Sequence, residues 1–186
     1  IAGKRHGSDS QNLHRNKRSL CLDLKADAGR QVFMDLARTA DVVVENFRVD
    51  VKHRLGVDYA ALKKINPRII YASSSGFGQR GPYSRRPAVD QVIQGSSGLM
   101  SITGEPGRGP MRAGIAVSDT SAGMFLGQGI LLALLHRGHT GEGKWVHTSL
   151  LESMLCKLDF QAASYTMSGE VLSQAGKNHP TLSPMG

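Results

Sequence analysis

Two cysteines, one tryptophan and an aromatic share of 5% leave this sequence short of the residues that staple or stack small domains. Two cysteines cannot build a disulfide framework or a zinc-finger pair, so Cys21 and Cys156, in apolar surroundings, are expected to be buried, reduced thiols. That usage points to a reducing, cytoplasmic setting. No run reaches the roughly 20 apolar residues of a membrane span, because His136-Arg137 closes the longest candidate, so no membrane partner is expected. The start, Ile1-Ala-Gly-Lys-Arg5, has neither an initiator Met nor an apolar signal core, and the chain is expected to be part of a longer one. Repeats and low-complexity linkers are also missing.

What is present describes a globular domain. Its 186 residues suit one core, with 40% hydrophobic and 20% charged residues. The net charge of +8 is concentrated early, in Lys4, Arg5, His6, His14, Arg15, Lys17 and Arg18. Such a segment fits phosphorylated ligands or plain solvation. Without zinc-finger, helix-turn-helix or RNA-motif signatures, no nucleic-acid partner is expected.

Patterning alternates between strand and helix. Ser19–Lys25 alternates apolar and polar as a strand would. Asp27 can cap a helix through about Thr39 that turns Val32, Phe33, Leu36 and Ala37 to one face. Asp41–Glu45 is a short apolar run expected of a strand buried on both sides. Asp58 caps Tyr59–Ile65, Asn66-Pro67 stops it, and Arg68–Ser73 is the next strand. Gly76–Pro87 and Thr103–Gly114 are loops around a helix at Asp90–Met100. A long helix over Asp119–Arg137, a strand over Lys144–Thr148, a helix over Ser149–Met167 and an irregular tail from Gly176 complete the chain. The order implies α/β architecture: a doubly wound parallel sheet.

Several motifs fail on their context. Gly76-Phe-Gly78-Gln-Arg-Gly81 fits the dinucleotide fingerprint, but Pro82, Ser84 and Pro87 follow where a helix must open on the pyrophosphate. Ser73, Ser74 and Ser75 lack the full Gly-x-Ser-x-Gly elbow. His136 and His139 are three apart without a third ligand, and read as charges at a helix end, so no metal site is expected.

Asp119 stands in Gly114-Ile-Ala-Val-Ser-Asp119-Thr-Ser-Ala-Gly123, where small residues give way to a long apolar stretch. One reading is an ordinary helix N-cap. The other is an ionised carboxylate at a helix N-terminus, with room for a bulky ligand, able to attack an activated acyl group. Local sequence does not choose between them.

Other segments bear on that choice. They are Asn16-Lys-Arg-Ser-Leu with Leu22-Asp-Leu-Lys25, Val44-Glu-Asn-Phe-Arg48 with Arg54-Leu-Gly56, and Asn66-Pro-Arg-Ile-Ile-Tyr71. Ser75-Gly-Phe-Gly-Gln-Arg-Gly-Pro-Tyr83, Ser97–Pro106 and Thr140-Gly-Glu-Gly-Lys144 follow in the same order. Together, from about residue 12 to the end, they resemble the family III CoA-transferases, the family of formyl-CoA transferase and the carnitine and bile-acid CoA-transferases.

The resemblance implies a Rossmann-like large domain over 1–150 without its opening strand, and a helix and linker over 151–186 toward a small second domain. It implies an acyl-CoA:carboxylate CoA-transferase with no permanently bound cofactor, using coenzyme A and acyl-CoA as substrate and a small carboxylic acid as acceptor. Asp119 would be the nucleophile, passing through aspartyl anhydride and aspartyl-CoA thioester intermediates. Segments matching Leu22, Asp23, Leu24 and Lys25, Asn46, Phe47 and Arg48, Arg54, and Pro87, Ala88, Val89 and Asp90 would hold CoA. Lys25, Arg48 and Arg54 suit its phosphates, and Leu22, Leu24 and Phe47 its adenine. Asp90 could equally cap a helix.

Related α-methylacyl-CoA racemases place a histidine in a Gly-His-Asp segment; here the match is Ala88-Val89-Asp90, and valine cannot move a proton. An isomerase and a non-catalytic CoA-binding fragment are the alternatives. Family members are about twice this long and form interlocked homodimers, which half a chain could not close.

Overall fold

A computed structural model describes Gly7 and residues 12–184. Three strands form one parallel sheet in the order β1 (Val42–Glu45), β2 (Ile70–Ser75), β3 (Trp145–Ser149). Register is set by the rows Val43, Tyr71, Trp145 and Glu45, Ser73, His147. Between β1 and β2 come α2 (Val49–Leu55) and α3 (Tyr59–Ile65); α1 (Asp27–Thr39) precedes β1. Between β2 and β3 come α4 (Asp90–Ser96), α5 (Leu99–Ile102) and α6 (Val117–Thr140); α7 (Leu150–Lys157) and α8 (Phe160–Ser168) follow β3.

Two apolar clusters build the α/β layers. Ala37, Val57, Leu62, Ile69 and Tyr71 join α1 and α3 to the sheet, with Phe33 and Trp145 packed on them. Ile93, Ala122, Leu150 and Met154 join α4, α6 and α7. β2, between two strands, is almost wholly buried, as the central strand of a parallel sheet must be. α6 lies along β2 and β3, with Gly129 facing Val146.

Several expectations need correction. Ser19–Lys25 is not a strand: Leu20 and Cys21 are exposed and no described strand pairs with the segment. Both cysteines are solvent-exposed, Cys21 for that reason and Cys156 because α7 turns Ser153 and Met154 inward instead. Asp27 does not cap α1; Ala26 occupies the N-cap, and the Asp27 carboxylate pairs with Arg30 at 2.5 Å. On α1 the inward face is Phe33, Met34, Ala37 and Ala40, while Val32 and Leu36 are exposed. β1 is an edge strand with Val44 61% exposed, so it is not buried on both sides. The helix after Asp90 breaks at Gly98 (φ +89), and the one after Ser149 breaks at Asp159 (φ +46). α6, at 24 residues, is long and apolar enough by length and composition to cross a membrane, contrary to the reading of the sequence. Here it packs Ser118, Ser121, Ala122, Leu126 and Ala133 inward, and leaves Leu131, Leu132 and Leu135 exposed.

Asp58 caps α3 as expected, accepting from the N–H groups of Ala60 (2.9 Å) and Ala61 (3.2 Å). In the basic N-terminal segment, His14, Arg15, Lys17 and Arg18 are exposed, while Lys4, Arg5 and His6 lie outside the described residues. His136 and His139 lie exposed near the end of α6.

Candidate active site

In a parallel sheet all carboxyl ends share one edge, where α/β proteins place ligands. Here that edge carries Asn46–Arg48 after β1 and Gly76–Pro87 after β2. α6 runs antiparallel to β3, to which a short turn joins it, so its N-terminus and Asp119 return to the same edge.

The two loops are tied together. The Asn46 amide donates to the Ser74 carbonyl (2.7 Å), and the Arg48 guanidinium to the Arg85 carbonyl (3.4 Å). Gly76 is obligatory, since a Cβ there would stand 2.2 Å from that of Ala88. Pro87, Ala88 and Val89 are thereby held against the end of β2, with the Val89 side chain outward. Beneath the loops lies a buried ion pair. Lys52 Nζ donates to Glu45 Oε1 (2.9 Å), Gln79 Oε1 (2.5 Å) and Ser73 Oγ (3.4 Å). Glu45 Oε2 accepts the Phe47 N–H at 2.7 Å, and Trp145 Nε1 donates to Ser73 Oγ at 2.9 Å. Burial, then the charges of Glu45 and Asp58, push the nearby Tyr71 phenol well above its usual range.

A cleft of about 470 Å³ opens between α1 and α2, lined by Leu24, Lys25, Arg30, Val51, Arg54 and Leu55. It brings three sequence-predicted residues together, Leu24, Lys25 and Arg54, and adds Arg30, which the sequence did not flag. Three cations around apolar walls suit a phosphorylated ligand with a flat base. Gly29 shapes the entrance: its Cβ would stand 2.2 Å from the Asp23 carbonyl oxygen, so only glycine lets residues 23–25 fold over α1. The Asp23 carboxylate accepts the Lys25 N–H at 2.9 Å. Leu22, Asp23, Phe47 and Arg48 do not line this cleft.

The start of α6 is unusual. Its N-cap, Ala116, has no side chain to satisfy the free N–H groups. Asp90, from α4, supplies the acceptor: its Oδ1 takes the Ser118 N–H and the Ser118 hydroxyl, both at 2.8 Å. Asp90 thus caps a helix, but not its own, whose N-cap is Val89. Burial raises the Asp90 carboxyl, yet the hydrogen bonds from Ser118, Gln94 and the Asp119 N–H outweigh it and hold the group below its ordinary value. Asp119 sits in the first turn of α6 and is not the N-cap. Among the described residues no hydrogen bond or ion pair engages its carboxylate. The residue is exposed overall, but crowding at the helix start, and secondly the charge of Asp90, push its carboxyl above the ordinary range. One turn on, Gly123 faces open space, as do Gly114 and Gly127. No group of described residues could hold a metal ion.

The family model for CoA-transferase family III matches residues 4–186. The chain belongs to CoA-transferase family III. Among curated members, the succinate–glutarate CoA-transferase of Agrobacterium fabrum is 43% identical over 171 residues, 92% of this chain and 43% of that one. The acetyl-CoA:oxalate CoA-transferase of Acetobacter aceti is 42% identical, over 92% of this chain and 44% of that one. Among solved structures, a CaiB/BaiF family protein from Brucella suis is 40% identical with TM-score 0.85, covering 90% of this chain and 44% of that one. This family III chain thus spans less than half the length of these relatives.

Sequence reasoning missed Lys52, Gln79, Gln94 and Ser118. A lone lysine in a short amphipathic helix reads as surface, so Lys52 had no signal. Gln94 had one: it lies four residues after Asp90, the spacing at which helical side chains meet.

Proposed function

We propose that the full-length protein is an acyl-CoA:carboxylate CoA-transferase with Asp119 as nucleophile. The observation that carries this is the unengaged Asp119 carboxylate, on an open helix face, in a helix whose capping is done by another residue. A carboxylate that capped its own helix would have an oxygen committed to the backbone N–H groups, as Asp58 does.

The chemistry balances without any outside reagent. An Asp119 oxygen attacks the thioester carbonyl of a donor acyl-CoA, the C–S bond breaks, and CoA leaves as thiolate, giving an aspartyl acyl anhydride. The thiolate attacks the Asp119 carbonyl of that anhydride, releasing the donor carboxylate and leaving an aspartyl-CoA thioester. The acceptor carboxylate attacks the same carbonyl and expels the thiolate, forming a second anhydride. The thiolate then takes the acceptor acyl group and returns Asp119 as carboxylate. The Leu24–Arg54 cleft suits the nucleotide end of CoA. Relatives named for succinate, glutarate and oxalate put short dicarboxylates first as acceptors. The exposed Leu131, Leu132 and Leu135 support an interlocked homodimer, since such a stripe marks an interface. Cytoplasmic placement belongs to the same proposal.

Racemase chemistry needs a proton carrier where Val89 stands, and a side chain of carbon and hydrogen supplies none. The test is a screen of acyl-CoA donors against carboxylates with the full-length protein. Hydroxylamine trapping and mass spectrometry then look for an acyl or CoA adduct on Asp119. If no adduct forms with a donor that turns over, the assignment fails. CoA binding with no transfer under any pairing would favour a binding module.

A further inference from the structure

We infer that Gln94 is a positioning residue for acyl transfer, its buried carboxamide locking the 113–118 backbone to Asp90 and so fixing where Asp119 stands. The inference rests on the reading of Asp119 as nucleophile. Gln94 is fully buried, and both ends of its amide are used. Nε2 donates to Asp90 Oδ2 (2.6 Å) and to the Ile115 carbonyl (3.2 Å), and Oε1 accepts the Ala113 N–H (2.8 Å). Two donated bonds and one accepted bond are what a neutral amide can offer here, and no carboxylate or ammonium could reproduce the set.

No other described side chain from outside this stretch bonds the 113–115 backbone. Among the described residues, the other hydrogen bonds to 113–115 come from Arg112 and Val117, within the same stretch of chain. Gly114 and Ile115 are exposed, so packing does not hold them. α6 has no cap of its own. Packing of Val117 and Ala122 on the α4–α7 cluster seats the helix, while the polar links to its start run through Gln94 to the backbone before α6 and through Asp90 to Ser118, one residue from the nucleophile. Nucleophilic attack is sensitive to such placement: a displacement of about 1 Å can cost about 10²-fold.

The test uses the full-length protein with succinyl-CoA as donor probe. Gln94→Glu keeps the acceptor for Ala113, removes both donors and sets a second carboxylate against Asp90. Adduct formation on Asp119 in a single turnover is expected to slow about 10- to 100-fold. CoA affinity, by titration calorimetry, should stay within about twofold while amide exchange over 113–119 quickens. A merely structural role would not produce that split. The double variant Asp90→Asn/Gln94→Glu places a donor opposite the new acceptor and should recover part of the rate. Gln91→Glu, exposed on the same helix, should match wild type. If Gln94→Glu does not fold, Gln94→Met is measured in its place. An unchanged adduct rate, a CoA affinity that falls in step with the rate, or a double variant no better than the single one would overturn the inference. Turnover by Asp119→Ala would overturn the nucleophile reading and this inference together. Loss of activity in Asp119→Ala beside an unimpaired Gln94→Glu would overturn this inference alone.

Discussion

The starts of α3 and α6 solve the same problem in opposite ways. Each leaves several backbone N–H groups without intrahelical partners. At α3 the helix caps itself: Asp58 Oδ1 accepts from both Ala60 and Ala61, which turns the carboxylate in on its own helix. At α6 the cap arrives from 28 residues away in sequence, through Asp90 and Ser118. The outsourced cap leaves the first-turn aspartate of α6 free of bonds. A carboxylate can serve structure or chemistry, and α6 divides the two tasks between two residues.

Four substitutions test that division, from the largest effect to the smallest. Asp119→Ala should lower transfer by at least about 10³-fold, as loss of a covalent nucleophile does, with the fold retained in circular dichroism. Asp90→Ala strips the acceptor from Ser118 and should destabilise by about 2 kcal/mol in urea titrations. Asp58→Ala should cost about 1 kcal/mol and leave kcat unchanged, since α3 carries nothing that reacts.

The smallest effect is the pH dependence of Asp119→Asn. Folding raises the Asp119 pKa, so the folded chain holds that proton more tightly than the unfolded one. Its favourable contribution is present below the unfolded value of about 4 and lost as pH rises through the folded value. Asp119→Asn should therefore raise Tm slightly at neutral pH, with the gain vanishing in acid. Asp90 has the opposite sign: its stabilisation exists above the ordinary value and fades as pH falls through its lowered one. Parallel Tm responses of Asp119→Asn and Asp90→Asn would break the comparison.

Legibility of the sequence followed the range of the interactions. Asp58, the Asn66-Pro67 stop and the two Gly/Pro loops were readable because their causes lie within a few residues. Ser19–Lys25 misled because alternation is necessary for a strand but a partner is also needed, and no described strand supplies one. Val32 and Leu36 misled because a helix face is chosen by what it packs on. The cap of α6 was out of reach, since nothing near Ala116 announces an acceptor 28 residues upstream. Of the candidate site, Lys25 and Arg54 were found from the resemblance to a family. Arg30 emerged only when α1 and α2 were laid side by side.

The buried Lys52 bears on how such a protein could be re-engineered. Its ammonium serves Glu45, whose other oxygen holds the Phe47 N–H, and also Gln79 in the following loop. A loop without an acceptor at position 79 leaves the buried ammonium one hydrogen bond short, a loss of about 1–3 kcal/mol. The loops after β1 and β2 are therefore not separate modules. A graft of residues 76–87 from a relative should keep an acceptor at position 79 and glycine at position 76. That segment is anchored at Gly76, at Gln79 and through the Arg85 carbonyl, and free to vary mainly between them.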